Sequence, residues 1–214
     1  MTVDQIYHII ATKKPPVIYI SGKTSTGKST FGRRLSDNLG YHVVELEAVL
    51  LEIVDDKGWD EQTTFRKVLH DTDETEERKA FLEITDELIK NALAQGVPLV
   101  IEGAVAHVDT LARVLKPARH MLFLYFHPTD IDFYVRNLTK RFLESGPDSL
   151  GGLPLKFWKL VDKDEFKEFC QTRQVSTGLE KSIREYAQKS QKESLVRLDE
   201  FSEKFGDITM VEVR

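Results

Sequence analysis

A loop between an apolar run and a helical pattern constrains this chain more than any other feature. The stretch reads "VIYISGKTSTGKSTFGRRL" from Val17 to Leu35, with glycines at Gly22 and Gly27. Glycines let the backbone turn tightly, so that successive N–H groups point toward an anion. The helix that follows adds the positive end of its dipole. The pattern therefore predicts a phosphate-binding loop between a strand and a helix.

The loop has the Walker A spacing, G-x-x-x-x-G-K followed by Ser or Thr. We expect Lys28 to be exposed, to reach the β- and γ-phosphates of a nucleotide and to take part in catalysis. The hydroxyl of Ser29 is the expected Mg²⁺ ligand within the loop. ATP and Mg²⁺ are the predicted cofactors. The predicted nucleotide-binding residues are Gly22, Lys23, Thr24, Ser25, Thr26, Gly27, Lys28, Ser29 and Thr30.

A GTP-dependent switch is the first alternative to an ATP site. The stretch Asp55–Gly58 matches D-x-x-G, the pattern that contacts a γ-phosphate in such switches. No Asn/Thr-Lys-x-Asp pattern for guanine occurs in the chain, and a charged stretch follows Gly58 instead of the expected helix. We therefore interpret Asp55–Gly58 as a solvated turn.

The remaining chain alternates strand and helix patterns, which favours crossover units and a parallel sheet. The predicted strands are nearly continuous apolar runs, and they span Val17–Ser21, Tyr41–Leu46, Pro98–Glu102, His120–Phe126 and Ile208–Val213. The predicted helices span Lys28–Leu39, Glu74–Gln95, Thr129–Leu143 and Leu179–Phe205.

Size and composition fit a single domain of 214 residues, 41% hydrophobic and 30% charged. The net charge of −5 argues against nucleic acid as a partner. The single cysteine, Cys170, indicates a reducing cytoplasm, and no apolar run is long enough to span a membrane. Nothing in the sequence specifies an oligomeric state.

Three stretches together resemble the small P-loop kinases of the nucleoside and nucleotide kinase superfamily. They are "ISGKTSTGKSTFGRRLSDNLGYHVVEL", "GVPLVIEG" and "LFLYFHPTDIDFYVRNLTKRF". Uridine kinase-like, adenylate kinase-like and zeta-toxin-like proteins share this layout, and the similarity extends from Val17 to Arg141. It implies a three-layer α/β/α fold with a five-stranded parallel sheet of order 2-3-1-4-5. It also implies phosphoryl transfer to a small-molecule acceptor, such as a nucleoside, a nucleotide or a sugar-like compound.

The resemblance assigns roles to three acidic residues. In that superfamily the second strand ends in an acid that faces the acceptor hydroxyl, and the candidates here are Glu45 and Glu47. Strand alternation would place both on one face, with Leu46 opposite. We favour Glu47 as the catalytic acid, because it is nearer the strand's carboxyl end. Glu102 ends the third strand, where related proteins have an acid near the metal and the substrate, and it also resembles a Walker B acid.

Basic residues complete the predicted site. The stretch "RNLTKR" supplies Arg136, Lys140 and Arg141, and similar kinases have lid arginines there that balance the charge of the moving phosphoryl group. We expect a lid over about 136–155, because Ser145–Leu155 is rich in Gly and Pro. An acceptor-binding insertion is expected over about 47–73, with Arg66 as a substrate contact.

Two alternative functions stay open at this point. One is a regulatory ATPase or GTPase module that binds nucleotide without a small acceptor. The other is a zeta-toxin-like sugar-nucleotide kinase. Transfer of a labelled γ-phosphate to an acceptor, as opposed to its release as free phosphate, distinguishes the kinases from the regulatory module.

Overall fold

The structure is a computed structural model of the chain. It describes residues 1–69, 73–103, 108–118, 121–145, 161, 163–172 and 174–214. Five strands form one sheet in which every pairing is parallel, and, numbered along the chain, they lie in the order 2-3-1-4-5. The predicted sheet and its strand order are confirmed. The strands are β1 Val17–Gly22, β2 His42–Glu45, β3 Leu99–Glu102, β4 Leu122–Pro128 and β5 Ile208–Val213.

Nine helices occur in the described part of the chain. The sequence patterns predicted four of them: Lys28–Leu39 has the predicted bounds, and the helices at 76–94, 131–145 and 177–205 differ from the prediction by one or two residues at one or both ends. The helices are α1 Val3–Lys13, α2 Lys28–Leu39, α3 Leu46–Lys57, α4 Glu61–Leu69, α5 Glu76–Ala94, α6 Val108–Val114, α7 Ile131–Ser145, α8 Lys163–Thr172 and α9 Thr177–Phe205. None of the helices in these described ranges has the length and apolar character that a bilayer crossing requires.

Both faces of the sheet are covered, which gives the three-layer α/β/α architecture. Side chains of β1 alternate between the two apolar layers: Tyr19 belongs to one, and Ile18 and Ile20 belong to the other. The first layer packs the sheet against α3, α4, α5, α6 and α9, and the second packs it against α1 and α2. Each fully buried large apolar side chain contributes roughly 1.5–3 kcal/mol relative to exposure. A third apolar cluster joins α7, α8 and α9.

The second strand is shorter than predicted. It ends at Glu45, and α3 begins at Leu46, so Glu47 lies in the first turn of a helix and not on the strand. The predicted alternation of Glu45 and Glu47 on one strand face is therefore wrong. The buried residues of this segment show why, because they recur at helical and not at strand spacing. These residues are Leu46, Val49, Leu50, Ile53 and Val54.

The predicted insertion over about 47–73 contains α3 and α4, and it leads into α5. Asp55 and Asp56 lie in the last turn of α3, and Gly58 caps that helix in a left-handed conformation. The D-x-x-G match is thus a helix end. Residues 70–72 lie outside the described ranges.

Candidate functional site

Unusual backbone angles shape the loop between β1 and α2. Gly22 has φ of 132°, Ser25 has φ of 63° and Gly27 has φ of 85°. A Cβ atom at Gly22 would lie 2.3 Å from the carbonyl oxygen of Phe126 on β4. Gly22 is therefore required both by the turn and by the close approach of the neighbouring strand. Gly27 precedes the first residue of α2, so the loop ends at a helix N-terminus.

Lys28 is buried inside the loop, with 7% of its surface exposed. Its Nζ donates a hydrogen bond to the carbonyl oxygen of Lys23 at 3.0 Å and lies 3.8 Å from Oε1 of Glu102. The Thr26 hydroxyl donates to the same Lys23 carbonyl at 2.7 Å. The expectation that Lys28 is exposed is wrong, because the loop backbone and Glu102 enclose its ammonium group. The lysine is thereby held at the centre of the loop.

Glu102 connects the loop to the sheet. Its Oε2 accepts a hydrogen bond of 3.0 Å from the Ser29 hydroxyl, and the residue is 3% exposed. Burial raises the pKa of the Glu102 carboxyl to about 7, against the lowering effects of the Lys28 ammonium and the Ser29 hydrogen bond. The negative charges of Glu47 and Glu45 raise that pKa further. Glu102 is therefore a carboxyl group close to the point of ionisation at neutral pH.

Three acidic residues meet at the carboxyl edge of the sheet. Glu45 and Glu102 are register partners at the ends of the parallel strands β2 and β3, and Glu47 follows in the first turn of α3. Glu45 and Glu47 are half-buried. The carboxyl edge is where open α/β sheets bind ligands. The structure thus brings both candidates for the acceptor-facing acid to the same edge as Lys28 and Ser29.

The oxygens of Ser29 and Glu102 fit a hard divalent cation. In the ranges that the structure describes, no group of three or more His, Cys, Asp or Glu residues is arranged to hold a metal ion. Mg²⁺ in phosphate-transfer sites keeps several waters and is bound through one or two protein oxygens together with the phosphates of the substrate. A hydroxyl and a carboxylate 3.0 Å apart are a suitable protein contribution to such a site.

The basic residues predicted for the site lie on helix surfaces. Arg136, Lys140 and Arg141 are exposed on α7, and Arg66 is exposed on α4. The guanidinium of Arg136 lies 5.9 Å from the centre of the Phe133 ring. Residues 136–145 of the predicted lid form the C-terminal two thirds of α7, and residues 146–155 lie outside the described ranges.

Two residues that the sequence patterns did not predict contact the loop. Asn137 on α7 donates from Nδ2 to the carbonyl oxygen of Ser25 at 3.5 Å. Glu193 on α9 accepts a hydrogen bond from the Lys23 ammonium at 3.4 Å. Asn137 lies inside the basic stretch "RNLTKR", which the sequence pattern had already indicated as part of the site. Glu193 is one of many glutamates on a long helix, and nothing in the local sequence sets it apart.

The parallel sheet, the loop and the helix that follows define a P-loop protein of the α/β class. A family model described as an AAA domain matches residues 17–145, which is more than half of the chain. The chain therefore belongs to this family. No curated protein matches it by sequence.

Solved structures with a similar fold are also known. The chain is similar to shikimate kinase from Bacteroides thetaiotaomicron with a TM-score of 0.51 and 11% identity, over 92% of this chain and 86% of that chain. It is also similar to a gluconokinase from Sinorhizobium meliloti 1021, with a TM-score of 0.44 and 14% identity over 93% and 83% of the two chains. At such identities the likeness to the first of these structures concerns the fold alone. The predicted resemblance to the small P-loop kinases is confirmed at this level.

Proposed function

We propose that this protein is an ATP- and Mg²⁺-dependent phosphotransferase that acts on a small-molecule acceptor. One observation carries the proposal. The Lys28 ammonium, the Ser29 hydroxyl and the carboxyl groups of Glu45, Glu47 and Glu102 converge on the carboxyl edge of the sheet. A nucleotide site needs the first two groups, and an acceptor hydroxyl needs a carboxylate close to the phosphates.

The loop would bind the phosphates of ATP through residues 22–30. Its backbone N–H groups and the N-terminus of α2 supply partial positive charge, and Lys28 supplies a full charge at the β- and γ-phosphates. Ser29 and Glu102 would hold Mg²⁺, which neutralises phosphate charge when bound. Glu102 pairs with both Lys28 and Ser29, so the fold itself positions the three side chains relative to one another.

The acceptor hydroxyl would face Glu47, with Glu45 as the second candidate and Arg66 as a further acceptor contact. The carboxylate accepts the hydroxyl proton while the acceptor oxygen forms a bond to the γ-phosphorus. The bond between the γ-phosphorus and the β,γ-bridging oxygen breaks, and ADP leaves with that electron pair. The carboxylate also orients the hydroxyl in line with the leaving oxygen.

The arginines of α7 would act on the phosphoryl group as it moves. Arg136 and Arg141 carry charge that stabilises the transition state once it is close to the phosphates. We propose a single domain over 1–214, in which residues of about 47–73 bind the acceptor and residues of about 136–155 form a lid. We also propose a cytoplasmic location, where ATP and Mg²⁺ are abundant and a single cysteine stays reduced.

The test is incubation with γ-labelled ATP, Mg²⁺ and pools of nucleosides, nucleotides, sugars and cyclic hydroxy acids. The pools include shikimate, because the structure of a shikimate kinase has this fold. Transfer of label to an acceptor, and its loss in Lys28→Ala, supports the proposal. Release of label as free phosphate with every pool would instead indicate a regulatory nucleotide hydrolase. Transfer to sugar nucleotides alone would indicate a zeta-toxin-like activity.

A further inference from the structure

Lys23, the second residue of the loop, is held from outside the loop by α9. Its Nζ donates to Oε2 of Glu193 at 3.4 Å, across 170 residues of sequence. The exposed fractions are 21% for the Lys23 side chain and 48% for the Glu193 side chain. The pair is therefore at the surface, where water and other anions can compete with it.

The backbone of Lys23 belongs to the centre of the loop. Its carbonyl oxygen accepts hydrogen bonds from the ammonium of Lys28 and from the hydroxyl of Thr26. Lys23 thus fixes the inner lysine through its carbonyl group, while its own ammonium group points to Glu193 on α9. Two lysines of one phosphate-binding loop have carboxylate partners of different kinds: Lys28 pairs with buried Glu102, and Lys23 pairs with half-exposed Glu193.

The difference in exposure decides which pair can be exchanged. An exposed ammonium–carboxylate pair contributes little to stability, so a more highly charged anion nearby can replace the carboxylate. A nucleotide phosphate on this loop carries more negative charge than one carboxylate. It would attract Lys23 away from Glu193 at little cost, while the buried pair of Lys28 and Glu102 is costly to separate.

We propose that Glu193 is a positioning residue that competes with nucleotide phosphates for the ammonium group of Lys23. The inference rests on the proposed function, because it assumes that the loop binds a nucleoside triphosphate. Glu193 opposes binding because it neutralises Lys23, so the phosphates must separate this pair before they gain the charge of the lysine. Glu193 thereby sets the nucleotide affinity of the loop below the value that its two lysines would give.

The experiment is a double-mutant cycle on the full chain, with Kd for ATP and for ADP measured by calorimetry in the presence of Mg²⁺. Glu193→Gln should bind ATP about two- to five-fold more tightly than the wild type, the range expected for an exposed ion pair. Lys23→Ala should bind ATP more weakly, and adding Glu193→Gln to it should restore little of the loss. Lys23→Arg keeps the charge and should keep the response to Glu193→Gln.

Glu185→Gln is the matched control. Glu185 is an exposed glutamate on the same helix, and its Oε1 lies 3.9 Å from Lys181. It should leave Kd for ATP unchanged. The increase in ATP affinity that Glu193→Gln produces should be smaller at 0.5 M salt, because screening weakens exposed charge pairs. A general loosening of α9, for example from loss of the pair that Glu193 forms with Lys189 at 4.0 Å, would not depend on Lys23.

The inference is overturned if Glu193→Gln binds ATP as the wild type does, or if its gain persists in full in the Lys23→Ala background. The proposed function fails separately. In that case the wild type would transfer the γ-phosphate of ATP to no acceptor, whether or not it binds ATP. A wild type that binds ATP and phosphorylates an acceptor, with no coupling between Glu193 and Lys23, refutes this inference alone.

Discussion

Lys28 and Glu102 lie 3.8 Å apart, Nζ to Oε1, and their side chains are only 8% and 4% exposed. Removal of one partner from a buried pair leaves the other charge uncompensated, which destabilises the fold unless that group changes its protonation state. Glu102 can do so, because its pKa is already raised to about 7. Lys28 therefore contributes to the local stability of the loop in addition to its expected role in nucleotide binding.

Lys28→Ala should lower the rate of phosphoryl transfer by about 100-fold or more, the usual effect of losing one preorganised charge at the phosphates. Transfer from γ-labelled ATP measures this, and circular dichroism with thermal unfolding shows whether the fold persists. Lys28→Arg retains a positive charge beside Glu102 and is the control for stability. Unchanged turnover in a folded Lys28→Ala variant would remove the basis for the nucleotide-site assignment.

Glu102 should make the stability of the free protein depend on pH. Its pKa is about 7 in the fold, against an ordinary value of 4.5. Between these values the folded chain binds the proton more tightly than the unfolded chain does. The stabilisation of the fold by this tighter proton binding at Glu102 is fully present below about pH 4.5, and it is lost as the pH rises through 7. The change is about 3 kcal/mol, at about 1.4 kcal/mol per pH unit.

Urea unfolding of the wild type and of Glu102→Gln at pH 5 and pH 8, without nucleotide or Mg²⁺, measures this contribution. Between pH 5 and pH 8 the free energy of unfolding of the wild type should fall by up to about 3 kcal/mol more than that of the variant. The neighbouring charges of Lys28, Glu45 and Glu47 are present in both proteins, so the comparison isolates Glu102. Identical pH profiles for the two proteins would contradict the raised pKa.

Gly22 and Gly27 should differ in their tolerance of alanine. A Cβ at Gly22 meets backbone atoms of Phe126, whereas a Cβ at Gly27 meets nothing within 4 Å. Gly22→Ala should therefore lower the free energy of unfolding by about 3 kcal/mol or more, from steric overlap together with backbone strain. Gly27→Ala should lower it by only about 1–2 kcal/mol, from backbone strain. Chemical denaturation of the two variants measures the difference. Equal losses would mean that the close approach of β1 and β4 is not a constraint.

Much of the fold could be predicted from the sequence, because the central strands are buried on both faces. All six residues of Val17–Gly22 are buried, and so are all four of Leu99–Glu102, which is why these runs are apolar almost throughout. The helix α3 was missed because β2 ends at Glu45 and α3 begins at Leu46, so no turn separates the strand from the helix. The helix α1 begins beside β5, where its N-cap residue Thr2 forms a bridge with Glu212, a contact across nearly the whole chain.

The site could be predicted only in part. The loop motif is local, so its residues were found directly. The contact of Ser29 with Glu102 spans 73 residues, but each residue had its own motif. The burial of Lys28 depends on the Lys23 carbonyl and on Glu102 together, and no local pattern records that combination. The position of Glu47 required knowledge of where β2 ends, which is the least certain feature of a short strand.

Glu47→Gln should retain the affinity for ATP and lose most of the phosphoryl transfer. The variant keeps the size of the side chain but removes the group that accepts or orients the acceptor proton, and general-base catalysis contributes about 100- to 10,000-fold. Calorimetry with ATP and a transfer assay with the identified acceptor measure the two effects. Glu45→Gln is the matched comparison, since both acids lie at the same edge. If Glu45→Gln abolishes transfer and Glu47→Gln does not, Glu45 is the acid that faces the acceptor.

Arg136→Ala and Arg141→Ala should lower the transfer rate by more than they weaken ATP binding. Both residues are exposed on α7, and their charge would matter most when the phosphoryl group is between donor and acceptor. Lys140→Ala is the matched comparison: Lys140 lies between them in sequence, its Nζ is 3.8 Å from Glu144 on the same helix, and the proposed transition-state role is assigned to the two arginines alone. The measurements are kcat and Kd for ATP in all three variants. If the loss of ATP affinity accounts for the whole loss of rate, the arginines act in ground-state binding. If all three variants have wild-type rates, these side chains of α7 have no role in phosphoryl transfer.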